Sequence, residues 1–352
     1  MKPGQIAELL PTHTAALFAV AVREASRLLR AGEVVALPTE TVYGLAANAY
    51  DPAAVARIYE VKGRPSHNPI IVHVSGLDLA RECAASWPAE AELLAGAFWP
   101  GPLTLVVPRS TRVPDLVTAG GATVGLRWPS HPFIQAVIRE CGFPLAAPSA
   151  NRSNETSPTS ARHVQRSLGG RIQLVVDGGQ SQVGIESTVV DLTVTPPRVL
   201  RPGMVRAASL AAVLGLEAAA VPEAGAAVSA PGSSPREQPV PRSPGQLTRH
   251  YSPRARLLVL RWRDEADLRT QLAGRGLAPG LCHVLAHGQI PQGPAFRNVS
   301  VIPHDAEAYA RALYAELHRC DEEEAEWIVV EALPEGPAWH GIADRLRRAA
   351  AS

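Results

Sequence analysis

Lysine is nearly missing from this chain. Its 34 basic side chains include only two lysines, Lys2 and Lys62, so 32 are arginines. A bias of this kind follows base composition, and ordinary surface cations drift to arginine with it. A lysine kept at position 62 therefore points to a place that needs a compact ammonium rather than a planar fork, with a tolerated surface lysine as the plainer alternative. Cysteine is scarce as well. Cys83, Cys141, Cys282 and Cys320 stand far apart with no CxxC pair or metal-ligand spacing, which argues against a zinc module and fits free thiols in a reducing compartment. No apolar run reaches 18 residues, and the N-terminus has no basic start followed by a small-residue cleavage site, so a cytoplasmic chain without a membrane span is expected. The motifs GxxxxGK[ST], strand-linked GxGxxG, GxSxG and HExxH do not occur, which leaves out a P-loop, a dinucleotide fingerprint, a serine-hydrolase elbow and a zinc protease. Charge of either sign is sparse: charged residues make up 19% and the net charge is +1, so a bulk nucleic-acid coat is not expected.

What is present fits a globular chain. Apolar residues form 46% of the 352, enough for two domains with real cores. From residue 14 an amphipathic pattern predicts a helix to about Leu29, and Val34 to Leu37 reads as a short strand that ends on Pro38-Thr39-Glu40-Thr41. Asp51 and Pro52 start a second helix, after which Lys62 and Arg64 fall on a loop leading into a strand over 69–74. Helices near 90–98 and 131–140 alternate with strand-like LTLVV, TVGLR, PLAAP, QLVVD, STVVD and RVLR, so a mixed α/β domain is predicted over residues 1–207. After Met204 the composition turns to Ala, Pro, Ser and Gly, and residues 208–250 are expected to be a linker with at most one helix. Strand and helix alternate again over 251–352, which predicts a smaller doubly wound α/β unit whose last segment, IADRLRRAA, reads as a solvated amphipathic helix.

Five polar clusters stand at predicted strand ends: Thr39 to Thr41 with Tyr43, Lys62 and Arg64 with Asn68, Arg127, Ser149 with Asn151, and Ser187-Thr188 with Arg201. Cations and hydroxyls from several loops can assemble a phosphate site when they converge in space. Taken singly, Arg127 and Arg201 read equally well as rim arginines, and His73 as a half-buried strand histidine.

PTETVYGLAANA, KGRPSHNPIIVHV, FWPGPLTLVV, APSANRSNETSPTSARHV and ESTVVDL followed by VLRPG, in this order, resemble the Sua5/YrdC/YwlC family, the threonylcarbamoyl-AMP synthases of transfer-RNA modification. The later HYSP and the α/β tail resemble the extra domain of the longer Sua5 branch. The resemblance implies a YrdC-like twisted mixed sheet with flanking helices, and a nucleotidyltransferase that joins L-threonine, bicarbonate or CO₂, and ATP with its Mg²⁺. The products are threonylcarbamoyl-AMP and pyrophosphate, with no bound redox cofactor and no resident metal. It further implies delivery of the adenylate to a tRNA threonylcarbamoyltransferase complex for modification of adenosine 37 in transfer RNAs reading ANN codons.

Carried onto this sequence, the family's nucleotide contacts fall on Lys62, Arg64, Asn68, Ser149, Asn151, Ser187, Arg201 and Tyr251, with Lys62, Arg64 and Arg201 nearest the chemistry. Threonine contacts fall on Thr39, His73, Arg127 and Thr188. The linker with Arg249, His250 and Tyr251 is expected to run over the opening as a lid, against the alternative of a plain tether.

Two rivals stand beside this expectation. An RNA-binding module, or weak tRNA binding, would use Arg152, Arg162 and Arg166, although no aromatics are interleaved for base stacking. A carbamoyl-adenylate-dependent transferase would be expected to carry acylphosphatase and zinc-finger regions, which this sequence lacks.

Overall fold

The computed structural model describes residues 6–223 and 251–351. In the first body the strands are β1 (Glu8–Pro11), β2 (Val35–Leu37), β3 (Gly44–Asn48), β4 (Val72–His73), β5 (Leu103–Pro108), β6 (Thr123–Arg127), β7 (Leu145–Ala146), β8 (Leu174–Asp177), β9 (Thr188–Asp191) and β10 (Arg198–Arg201). They join in one sheet of order β1-β8-β2-β3-β7-β4-β6-β5-β9-β10. Pairing is mixed: β4 runs parallel to β6 and antiparallel to β7, and β5 runs parallel to β9 and antiparallel to β6.

Helices cover both faces of this sheet. Thr14 caps the helix Ala15–Arg30 by accepting a hydrogen bond from the Leu17 N–H at 3.2 Å. That helix buries Ala21, Ala25, Leu28 and Leu29 in one core with Phe133, Ile134 and Val137 of the helix Pro132–Cys141. On the other face the helix Pro52–Lys62 packs Ala54, Val55 and Ile58 with Leu45, Ala47 and Val72. Asp51 caps its start, and Gly63 at φ +61° ends it in the left-handed conformation that glycine adopts without strain, so Lys62 closes the helix and Arg64 opens the loop.

Two strands depart from the sequence pattern. The strand expected over 69–74 is only Val72–His73, because the preceding backbone is used elsewhere: Arg64 takes the carbonyls of Asn68 and Pro69, and the Ile70 N–H donates to Val117 O. β3, with the small residues Gly44, Ala46 and Ala47, carries little intrinsic strand preference and is set by antiparallel neighbours on both sides.

The second body is a parallel sheet of β11 (Arg256–Leu260), β12 (Cys282–Ala286), β13 (Asn298–Val301) and β14 (Trp327–Glu331), in the order β11-β14-β12-β13. Leu268 and Leu272 of the helix Glu265–Ala273 pack on one face with Val284 and Val329. Leu313 and Leu317 of the helix Ala306–Glu322, with Ile342 and Leu346 of the last helix His340–Ala350, pack on the other with Leu285, Ile328 and Val330. Helices on both faces of a parallel sheet make the doubly wound arrangement expected from the alternating pattern.

The expected linker begins as part of the first body. The helix Ala207–Val213 buries Leu210 and Ala211 in the same core as Leu94, Val221 joins them, and Val199 bridges to Glu223. The remaining linker residues, 224–250, with Arg249 and His250, lie outside the described residues.

The two bodies share a core. Val42, Ile185 and Tyr251 cluster with Tyr314, Ile342 and Leu346. Gly184, at φ +83°, passes so close to the helix Ala306–Glu322 that a Cβ there would stand 2.4 Å from the Ala310 carbonyl oxygen. The last helix is not a solvated one. Its Ile342, Arg345 and Leu346 are buried, and a Cβ on Gly341 would lie 3.0 Å from the Cα of Gly203.

Candidate active site

β4 and β7 are two residues long, so the chain leaves the middle of the sheet early and polar loops gather there. They enclose a cavity lined by Thr39, Thr41, His73, Arg64, Arg127, Ser149, Glu186, Ser187, Arg201 and Tyr251, with Val42, Gly44, Ile71, Ala147 and Pro148 as its apolar walls. Three of the five sequence clusters supply its arginines. Arg64, Arg127 and Arg201 are 8%, 4% and 3% exposed, so each has given up most of its hydration and is committed to this site.

Each guanidinium is steered by carbonyl groups. Arg64 donates from Nε to Asn68 O at 3.1 Å and from Nη2 to Pro69 O at 2.7 Å. Burial lowers its pKa to about 10, which leaves it charged at neutral pH. Arg201 donates from Nε to Ser187 O and from Nη2 to Ser187 Oγ, both at 3.0 Å, and that hydroxyl lies 2.8 Å from Thr104 Oγ1. Arg127 donates to Gly101 O at 3.3 Å and forms an ion pair with Glu40 at 2.6 Å. Burial pushes the Glu40 carboxyl up, but the Arg127 charge outweighs it and holds the group below its ordinary value. His73 faces the same space as a neutral imidazole, since burial and then the Arg127 charge push it down to about 3.

Several expected contacts are spent inside the protein. Lys62 does not line the cavity. Its ammonium donates to Ser149 O at 2.5 Å and to Asn151 O, with Asn151 Oδ1 at 3.4 Å. Three oxygens around one nitrogen match the three donors of an ammonium, which no planar guanidinium could present from that point. Burial, and then Arg64, depress its pKa well below the ordinary value. Asn151 is likewise turned to its own loop and donates from Nδ2 to Glu155 O at 2.7 Å. The Thr39 hydroxyl donates to Val42 O at 2.6 Å and accepts from the N–H groups of Thr41 and Val42, so it builds the turn and Thr41 stands beside it at the cavity. The Thr188 hydroxyl donates to Val205 O at 2.8 Å and accepts from the Val205 N–H at 3.1 Å, tying down the turn after β10. Asn68 is 1% exposed and does not line the cavity, and neither its Oδ1 nor its Nδ2 has a partner among the described residues.

Tyr251 forms one wall at φ +63° and 1% exposure, with burial raising its phenol pKa. The space it helps to enclose is about 50 Å³, below the roughly 300–1,000 Å³ of ligand clefts.

The sequence reading missed two acids. Glu40 lies in the quoted PTET run and Glu186 in EST, yet nothing local shows that each meets a particular arginine. Glu186 accepts from Ser157 Oγ at 2.5 Å, Tyr314 Oη at 3.1 Å and Arg345 Nε at 2.8 Å, the last two from the second body. Burial raises its carboxyl pKa, and the charges of Arg345 and Arg201 outweigh that to lower it overall. The surface considered for RNA is partly neutralised, since Arg162 and Arg166 both pair with Glu322. Among the described residues no three His, Cys, Asp or Glu side chains gather as a metal site, and no helix is long and apolar enough to cross a membrane.

Comparison with known proteins covers nearly the whole chain. Residues 27–203 match a family profile described as Telomere recombination, Sua5_yciO_yrdC, and residues 205–351 match one described as Threonylcarbamoyl-AMP synthase, C-terminal domain. A threonylcarbamoyl-AMP synthase of Pyrococcus abyssi is 38% identical over 334 residues, covering 93% of each chain. One of Bacillus subtilis is 38% identical over 332 residues, covering 94% of this chain and 92% of its own. The structure of P. abyssi Sua5 complexed with L-threonine superposes with a TM-score of 0.84 at 35% identity, covering 98% of both chains.

Proposed function

This chain belongs to the Sua5/YrdC family in its long form with a C-terminal domain, and on that premise we propose how its cavity performs the threonylcarbamoyl-AMP synthase reaction of tRNA modification. The observation that carries the proposal is the convergence of Arg64, Arg127 and Arg201, all buried, on one small cavity.

Threonine's amine adds to CO₂ with loss of a proton, or to bicarbonate with breaking of a C–O bond and loss of water, to give a carbamate. A carbamate oxygen then attacks the α-phosphorus of ATP, the bond to the bridging oxygen breaks, and pyrophosphate leaves. Both the carbamate and the mixed anhydride decompose in water, so the protein's task is to position, neutralise charge and exclude solvent. Arg64 and Arg201 hold the phosphates as fork-shaped donors, Ser149 and Asn68 contact the nucleotide, and Lys62 and Asn151 shape the loop that carries Ser149. Arg127 takes the threonine carboxylate through its Nη1, which has no bond to a described residue, with neutral His73 and Thr41 nearby. Neutral His73 adds no charge to compete with Arg127 for that carboxylate. Glu40 and Glu186 are both committed to arginines, so magnesium belongs with the triphosphate of the incoming ATP rather than with a protein cage. The adenylate is passed on to a tRNA threonylcarbamoyltransferase complex, and free thiols at Cys83, Cys141, Cys282 and Cys320 support a cytoplasmic setting.

The test is mass spectrometry of the purified protein with ATP, magnesium, labelled bicarbonate and threonine or serine, read within minutes. Labelled threonylcarbamoyl-AMP with matching pyrophosphate is expected, together with a weaker serine product. Folded protein that binds tRNA in a salt-dependent way and releases no pyrophosphate would favour the RNA-binding reading instead.

A further inference from the structure

The last helix of the second body reaches the first body's site through one side chain. Arg345 is fully buried and lies between the bodies. Its Nε donates to Glu186 Oε2 at 2.8 Å, its Nη2 to Glu186 O at 3.1 Å, and its Nη1 to Pro202 O at 2.6 Å. Glu186 immediately precedes Ser187, whose carbonyl and hydroxyl steer Arg201, and Pro202 immediately follows Arg201. One guanidinium thus grips both backbone segments that aim the cavity arginine.

The same helix backs the grip with packing. Gly341 lies against Gly203, where a Cβ would come within 3.0 Å of the opposing backbone, and the Arg345 guanidinium carbon sits 5.4 Å from the centre of the Tyr251 ring. Tyr314 donates to the same carboxylate oxygen of Glu186.

We propose that Arg345 is a positioning residue for adenylate formation, clamping Glu186 and Pro202 so that Arg201 stays directed at the ATP phosphates. Charge supplies the second half of its role. Glu186 lines the cavity on its other side, and Arg201 is a cation close enough to influence it. Without Arg345 the buried carboxylate has lost its main partner and turns to Arg201, where it competes with phosphate. The second body is then part of the catalytic unit rather than an attachment to it. This inference rests on the assignment of Arg201 to the phosphates.

The experiment compares full-length wild type with R345M, R345K, R345M/E186Q and R201M. Calorimetry gives ATP and threonine dissociation constants, and pyrophosphate release gives KM and kcat. R345M is expected to weaken ATP binding on the order of 10- to 100-fold while threonine binding stays within about twofold. R345M/E186Q should recover the part of that loss that comes from competition, because the competing carboxylate has gone, and keep the part that comes from the missing clamp. R345K should fall between, since a single ammonium cannot reach all three acceptors. Should R345M fail to fold, R345K and the double variant carry the same comparison. R201M with wild-type ATP affinity would overturn the phosphate assignment itself. R201M that loses ATP affinity while R345M and R345K keep it would overturn the clamp alone. So would equal losses of ATP and threonine in R345M, while a double variant no better than the single would overturn the charge half of the role.

Discussion

The ammonium of Lys62 lies 2.5 Å from the carbonyl oxygen of Ser149, and so braces the loop that walls the cavity from behind. The lone lysine of the body of the chain serves a point where three oxygens meet, which accounts for its escape from the arginine bias.

This placement changes what substitution should do. Lys62→Ala leaves buried carbonyls unpaired, so a stability loss of about 1–3 kcal/mol should accompany weakened ATP binding. Lys62→Arg should be nearly as harmful as alanine, because the fork cannot fit the same three acceptors. Chemical denaturation and ATP titration of both variants check this. Full stability with lost activity would return Lys62 to the phosphates.

Arg127 and Glu40 are 5% and 8% exposed along their side chains and 2.6 Å apart, so removing one strands the other. Arg127→Ala should cost about 3–5 kcal/mol in stability and abolish threonine binding. Adding Glu40→Gln should restore much of the stability and none of the threonine affinity. A double variant that binds threonine normally would remove Arg127 from the substrate site.

Three buried imidazoles set an acid limit. His73 and His163 are pushed down to about 3 and His318 to about 4, in each case first by burial. Next in order come Arg127 for His73 and the adjoining His318 for His163, while a bond to the Ser157 carbonyl partly opposes the fall for His318. A depressed folded pKa means that the unfolded chain binds the extra proton. The contribution is therefore complete above about pH 6.5 and is lost as pH falls toward 3 to 4. Unfolding free energy should drop on the order of 1 kcal/mol per pH unit for each histidine across that window. Denaturant melts of wild type and His163→Gln between pH 7 and 4 should show a shallower slope for the variant, and parallel slopes would contradict it.

Leu210 is fully buried in the first body's core, in a stretch whose composition reads as linker. Leu210→Ala should destabilise the protein by about 2–5 kcal/mol, as a core position does. A melting midpoint equal to wild type would mark residues from 208 onward as tether.

Much of this molecule was written locally. The Asp51-Pro52 start and Gly63 stop of one helix, the Thr14 cap of another and the apolar strands β5 and β11 are carried by neighbouring residues, and the polar clusters at strand ends can be seen without coordinates. β3 has no strand signature in its Gly44, Ala46 and Ala47, and the helix Ala207–Val213 agrees with the single helix allowed near residues 209–216, but its Ala-rich run gives no sign that it packs into the first body's core.

The sequence by itself determined the element types, the two α/β bodies and the residue kinds a carbamate-activating site requires, since caps, turns and hydrophobic periods are short-range properties. Only the tertiary structure decided which polar groups face the cavity and which are spent on the backbone. Lys62 meeting Ser149, Glu40 meeting Arg127 and Arg345 meeting Glu186 join positions 87, 87 and 159 residues apart. Partners so distant in sequence are chosen by sheet order and body packing, because a buried charge is stable only where the fold brings an opposite charge or a set of dipoles within hydrogen-bond reach.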